Sequence, residues 1–180
     1  MPYSMPYSIQ TPQELLDWME KNIQYGYLTQ SNTIEKEING IDFFKNYKLQ
    51  SPGELVYNKF GVCWDQSEFQ RFMFNKMNIK NEVIYMIQKI LPNLPTHSYS
   101  IIEMEDGLYW FEHSWKAFKG IHGPYKTIHT IASLVHDKTF EVDHKYDSGW
   151  DYGIISRPNY GISCKEYMEF AGKAINSNIS

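Results

Sequence analysis

The chain has 180 residues, 42% of them apolar and 16% aromatic, with a formal net charge of −4. That size and hydrophobicity suit one domain with a sizeable core and exclude a disordered segment. Seventeen basic against 21 acidic residues, with no basic stripe, exclude a sequence-blind grip on nucleic-acid phosphates.

No apolar run approaches a membrane span, and the N-terminus lacks a basic-then-apolar signal. Two cysteines, Cys63 and Cys164, make no disulfide framework, so a thiol-reducing, cytoplasmic setting is expected. Met1-Pro2-Tyr3-Ser4 repeats as Met5-Pro6-Tyr7-Ser8, a local duplication in an expected flexible leader over residues 1–10. The expected organisation is that leader, a single domain over 11–175, and a polar, frayed tail over 176–180.

In chain order, Thr11-Pro12-Gln13-Glu14 starts a helix with a capping box, and Leu15, Leu16, Trp18, Met19 and Ile23 give it an apolar stripe. Its end is expected near Tyr25-Gly26. Residues 27–52 are mixed, with a turn at Ser31-Asn32-Thr33 and a short helix at Ile41-Asp42-Phe43-Phe44. Ser51-Pro52-Gly53-Glu54 starts another helical turn. Trp64, Phe69, Phe72, Met73 and Met77 then recur at helical spacing, so Cys63 falls in the first turn of a helix. Residues 82–90 and 96–103 read as strands, joined by the loop Leu91–Pro95. Glu105-Asp106-Gly107 is a hairpin turn, and residues 108–115 are the return strand. Residues 127–135 read as an amphipathic helix, 150–155 as a possible strand, and Ser163 as the cap of a last helix. The fold class is α+β.

A thiol at a helix start meets backbone N–H groups without intrahelical partners and the positive end of the macrodipole, which favour the thiolate. The alternative is a cysteine that merely packs. A nucleophilic thiol also needs a base and a group to orient it. His97 opens a strand after a Pro-containing loop, and Glu112 lies on the paired strand. A two-residue or a four-residue loop puts both on one face, and the four-residue register makes them diagonal neighbours. A three-residue loop would substitute His113 and Trp115.

Gly61-Val62-Cys63-Trp64, a strand opened by His97, and the aromatic strand Tyr109-Trp110-Phe111-Glu112 together resemble the transglutaminase-like superfamily of papain-like cysteine enzymes, over roughly residues 55–116. The resemblance implies a Cys-bearing helix packed on an antiparallel sheet, with Cys63 as nucleophile, His97 as base and Glu112 as acid. That superfamily more often has Asp followed by a proline, where this chain has Glu112-His113-Ser114. It implies a cysteine hydrolase or acyltransferase acting on an amide bond of a peptide or protein through a thioester. Hydrolysis by a peptidase or amidase is the first expectation. The alternatives are transglutaminase- or deamidase-type acyl transfer, and an inactive peptide-binding module on the same fold. An interaction protein with a packed Cys63 is the third reading. The oxyanion would be held by the Cys63 amide and one further donor among Tyr57, Asn58 and the Trp64 backbone. Trp64 and Trp110 are expected in the core, with a cleft wall as the alternative.

No cofactor motif is present, neither a glycine-rich phosphate loop nor a nucleophile-elbow serine. The histidines His113, His122, His129, His136 and His144 lack any metal-ligand spacing, so neither cofactor nor metal is expected. His122 reads as a turn residue. Asp65 is expected to complement the helix dipole rather than touch a substrate, and Cys164 to be a structural thiol. Oligomeric state is not legible in the sequence.

Overall fold

The computed structural model describes residues 4–89, 95–143 and 150–175. Helix α1 (Pro12–Asn22) opens on the expected capping box: Thr11 Oγ1 accepts from the Glu14 amide at 3.2 Å and the Glu14 carboxylate accepts from the Thr11 amide at 3.1 Å. Leu15, Leu16 and Met19 are buried beneath it, and Ile9 joins them. The helix ends three residues sooner than Tyr25, because Gln24 pairs in parallel with Phe60 and draws the chain into extended form.

Residues 27–48 form a small sheet, β1 (Tyr27–Thr29), β2 (Ile34–Glu35) and β3 (Tyr47–Lys48), in the order β2-β1-β3, with helix α2 (Gly40–Asn46) before β3. The turn and the short helix match the sequence reading. The strands are two or three residues long, too short for alternation to register. A second capping box, Ser51 with Glu54, starts α3 (Pro52–Asn58), which stops at left-handed Lys59. Four residues on, α4 (Cys63–Lys76) begins.

The main sheet comprises β4 (Asn81–Gln88), β5 (Thr96–Met104), β6 (Gly107–Glu112), β7 (Gly120–Tyr125) and β8 (Trp150–Ile155). Its order is β7-β6-β5-β4-β8, antiparallel throughout. Helices α5 (Ile128–Asp143) and α6 (Cys164–Ile175) complete the chain, α5 extending beyond the expected 127–135. Strand β7 is a correction: His122 reads as a turn residue among Gly120, Gly123 and Pro124, but an edge strand tolerates such neighbours because one side carries no ladder. Four of the five loop residues over 91–95, together with His144 and the tail over 176–180, lie outside the described residues.

Alternation along the strands gives the sheet two apolar faces. Ile102 and Phe111 pack with Phe69, Met73 and Phe74 of α4, while Val83, Tyr85 and Ile155 meet the start of α4 and α6. On the opposite face Ile84, Met86, Tyr99, Ile101 and Trp110 pack against Ile131 and Val135 of α5. The molecule is therefore α+β, with the Cys63-bearing helix laid on an antiparallel sheet.

Glu68 and Arg71 fasten that helix to β8. Glu68 is fully buried, accepts from Arg71 Nε at 3.1 Å and Nη2 at 3.2 Å, and Arg71 Nη2 also donates to the Ile155 carbonyl at 2.8 Å. Burial pushes the Glu68 carboxyl up, and Arg71 opposes that. Among the described residues no helix is long and apolar enough to cross a membrane.

Candidate active site

The turn before Cys63 is fixed by crowding and by one buried carboxylate. A Cβ on Gly61 would sit 2.5 Å from Leu55 Cδ1 and 3.0 Å from Asp65 Cβ, so glycine is needed for that approach. Asp65 Oδ2 accepts from the Val62 amide at 2.9 Å, and Oδ1 accepts from the Gln50 amide and the Tyr47 hydroxyl, each at 2.9 Å. Burial holds the Asp65 carboxyl up to about 7 although these donors favour its ionised form. Asp65 is thus a buried clamp between β3, the Gln50 segment before α3 and the head of α4, where it also complements the helix terminus.

Cys63 stands at the first position of α4 and is 7% exposed. Its amide has no intrahelical acceptor there, and its carbonyl accepts from Ser67 Oγ at 2.7 Å.

Strands β5 and β6 pair Ser100 with Phe111 and Met104 with Gly107. This is the register of the four-residue case, with two of those residues absorbed into the ladder. His97 and Glu112 therefore share a face, beyond the last ladder pair. His97 Nε2 lies 2.7 Å from Glu112 Oε2. With Nε2 engaged, Nδ1 is the ring nitrogen left to face Cys63, which is near enough to act on the imidazole. Tyr99 stacks on the ring at 5.7 Å and Trp115 meets it edge-on at 5.4 Å. Burial works to lower the His97 pKa, but the Glu112 charge and its hydrogen bond to the ring, with nearby Cys63 acting in the same direction, outweigh it and raise it to about 10. Glu112, 1% exposed, uses Oε1 to accept from the Trp115 amide at 3.0 Å and Ser114 Oγ at 3.1 Å.

Sequence reasoning did not single out Tyr25. It is 41% exposed and lines one cleft with Cys63, yet burial of its hydroxyl with the nearby thiol raises its pKa well above the usual phenol value. The Gln24 amide donates to the Lys59 carbonyl at 2.8 Å and the Gly61 amide to the Gln24 carbonyl at 3.0 Å, which sets Tyr25 beside the cysteine turn. Tyr57 is 64% exposed and Asn58 donates to Gln50 Oε1 at 2.8 Å. Trp64 is stacked on Tyr167 at 4.4 Å and lines a cleft with Cys63. Trp110 packs on the other face with Tyr99.

His113 points away from His97. Its Nδ1 bonds Gln66 Oε1 at 2.7 Å, its Nε2 is 3.6 Å from Glu20, and burial lowers its pKa. His122 belongs to β7, with Nε2 bonded to the Phe118 carbonyl at 2.6 Å. His129 bonds the Tyr152 hydroxyl at 2.6 Å and His136 contacts Asp137 at 3.2 Å. Among the described residues no group of three or more His, Cys, Asp or Glu side chains could hold a metal ion.

Such an arrangement can hold an imidazole in one orientation, keep it protonated near neutrality, and present it to a sulfur at a helix start. No curated protein matches the chain. A family model described as transglutaminase-like domain matches residues 4–135, a span that contains Tyr25, Cys63, His97 and Glu112 and ends inside α5. With more than two thirds of its length matched, the chain belongs to the transglutaminase-like domain family.

Proposed function

We propose that this protein is a thiol enzyme that cleaves an amide bond, with Cys63 as nucleophile, His97 as base and acid, and Glu112 as the orienting carboxylate. The observation that carries the reading is the 2.7 Å contact of His97 Nε2 with buried Glu112, made by an imidazole near enough to Cys63 to feel it. The Cys63 sulfur, its proton on His97, attacks the carboxamide carbon. The carbonyl oxygen becomes an oxyanion at the Cys63 amide, and the Tyr25 hydroxyl, which lies near Cys63, becomes its second donor. His97 gives its proton to the departing amine and a thioester remains. Water, losing a proton to His97, then releases the carboxylic acid and restores the thiol.

Alkylation of Cys63 by iodoacetamide at pH 6, followed on the Cys63 peptide by mass spectrometry, tests this. A thiol of ordinary pKa ~8.5 is only ~0.3% thiolate at that pH. Cys63 is expected to react at least roughly tenfold faster than glutathione, and His97→Gln to lose the excess. Cys164, whose thiol burial pushes up to about 11, stays unmodified. A Cys63 rate at or below that of glutathione would overturn the reading.

A further inference from the structure

Two clefts meet at Tyr25. One, of about 460 Å³, is polar, with Glu20, His113, Lys116 and Lys119 in its walls. The other, of about 230 Å³, contains Cys63 itself and has no charged residue among the described residues of its lining. Its walls are Ile38, Phe43 and Phe44 on and before α2, Val62 and Trp64 beside the cysteine, and Met168 of α6. It is smaller than the ~300–1,000 Å³ pockets that enclose drug-sized ligands, so its volume suits one side chain rather than a cofactor.

Its rim is apolar too. Seven large hydrophobic side chains are exposed among the described residues, and three of them, Tyr25, Ile38 and Phe44, line this cleft. A fourth, Ile41, is 68% exposed on the same helix α2. That helix buries none of its residues fully: Phe43 packs on Tyr27, Tyr47 and Trp64, while Ile41 and Phe44 stay exposed. Concentrated exposed apolar surface marks a binding site, and here it surrounds the sulfur.

We infer that this cleft is a specificity subsite that takes one apolar, uncharged side chain flanking the scissile amide. The inference rests on the thiol-enzyme reading. The occupant is part of the substrate because the cleft wall includes the reacting sulfur. It is uncharged because, apart from the reacting sulfur, no charged side chain among the described residues lines the cleft, and an unpaired charge there would be desolvated without compensation. Phe44, at the mouth, is the selecting residue most open to change, being 51% exposed.

The test compares Cys63 alkylation of the intact protein by chloroacetamide, N-benzylchloroacetamide and chloroacetylglycine, each rate divided by that with glutathione. The benzyl reagent is expected to be faster than chloroacetamide by about tenfold or more, the scale of hydrophobic discrimination in such pockets, and the carboxylate reagent slower. Phe44→Asp and, separately, Phe44→Ser should bring the benzyl-to-unsubstituted ratio down toward one. Equal normalised rates for the three reagents in the wild type, or a ratio untouched by both Phe44 variants, would overturn the subsite. Failure of chloroacetamide itself to modify Cys63 would instead overturn the nucleophile reading, and this inference with it.

Discussion

Glu112 reaches His97 across the open end of a hairpin: its Oε2 lies 2.7 Å from His97 Nε2, while its Oε1 is held by the Trp115 amide and the Ser114 hydroxyl. A buried carboxylate with both oxygens engaged is held in one orientation, and its proximity favours the protonated form of the neighbouring imidazole.

The first prediction is a pH dependence. The His97 pKa is raised from an ordinary 6.5 to about 10, so the folded state binds a proton that the unfolded state gives up between those values. The stability this confers is complete below pH 6.5 and is lost as pH rises through 10. In Glu112→Gln the folded pKa should fall back by more than one unit, seen by NMR titration of the His97 ring. The alkaline limb of turnover should move down with it. An unchanged His97 titration in the variant would show that Glu112 is not what holds the proton.

Tyr25→Phe separates a donor from a plug. If the hydroxyl stabilises the oxyanion, its loss should lower kcat by about 10²–10³-fold, with KM nearly unchanged. Iodoacetamide alkylation, which builds no oxyanion, should fall far less. A rise in turnover would identify the hydroxyl as a cap over Cys63 instead.

Asp65→Asn should destabilise by about 1–3 kcal/mol in urea unfolding, because an amide presents two donors to a site with three donors already aimed at it. Asp65 titrates in the folded state near 7 against an ordinary 3.8. Its contribution to stability therefore declines as pH rises from about 4 to 7, and the gap between wild type and variant should narrow from pH 5 to pH 8.

Arg71→Met leaves Glu68 buried without its cation and leaves the Ile155 carbonyl without its side-chain donor. Loss of about 3–5 kcal/mol is expected. The double variant with Glu68→Gln should recover part of it, measured by thermal unfolding. Additive losses would argue that the pair is not coupled.

Much of the fold was legible because its signals are local. Capping boxes lie within four residues, at Thr11–Glu14 and Ser51–Glu54, and both formed. Period-two alternation set the faces of β4 to β6, and parity put His97 and Glu112 on one side for a two- or four-residue loop, the four-residue register being the one observed. Strand β7 was not legible, since glycine and proline mean loop locally, and only its position at the sheet edge makes them harmless.

What the sequence determined by itself is the order of the site: a cysteine at a helix start, then a histidine and a glutamate on adjacent strands. What only the tertiary structure decided is the surroundings of the sulfur. Tyr25 arrives through the pairing of Gln24 with Phe60, and Met168 comes from the last helix, more than a hundred residues beyond Cys63. Neither carries a local mark of function. Contacts between distant segments depend on how whole elements pack, and no periodicity or spacing along the chain encodes them.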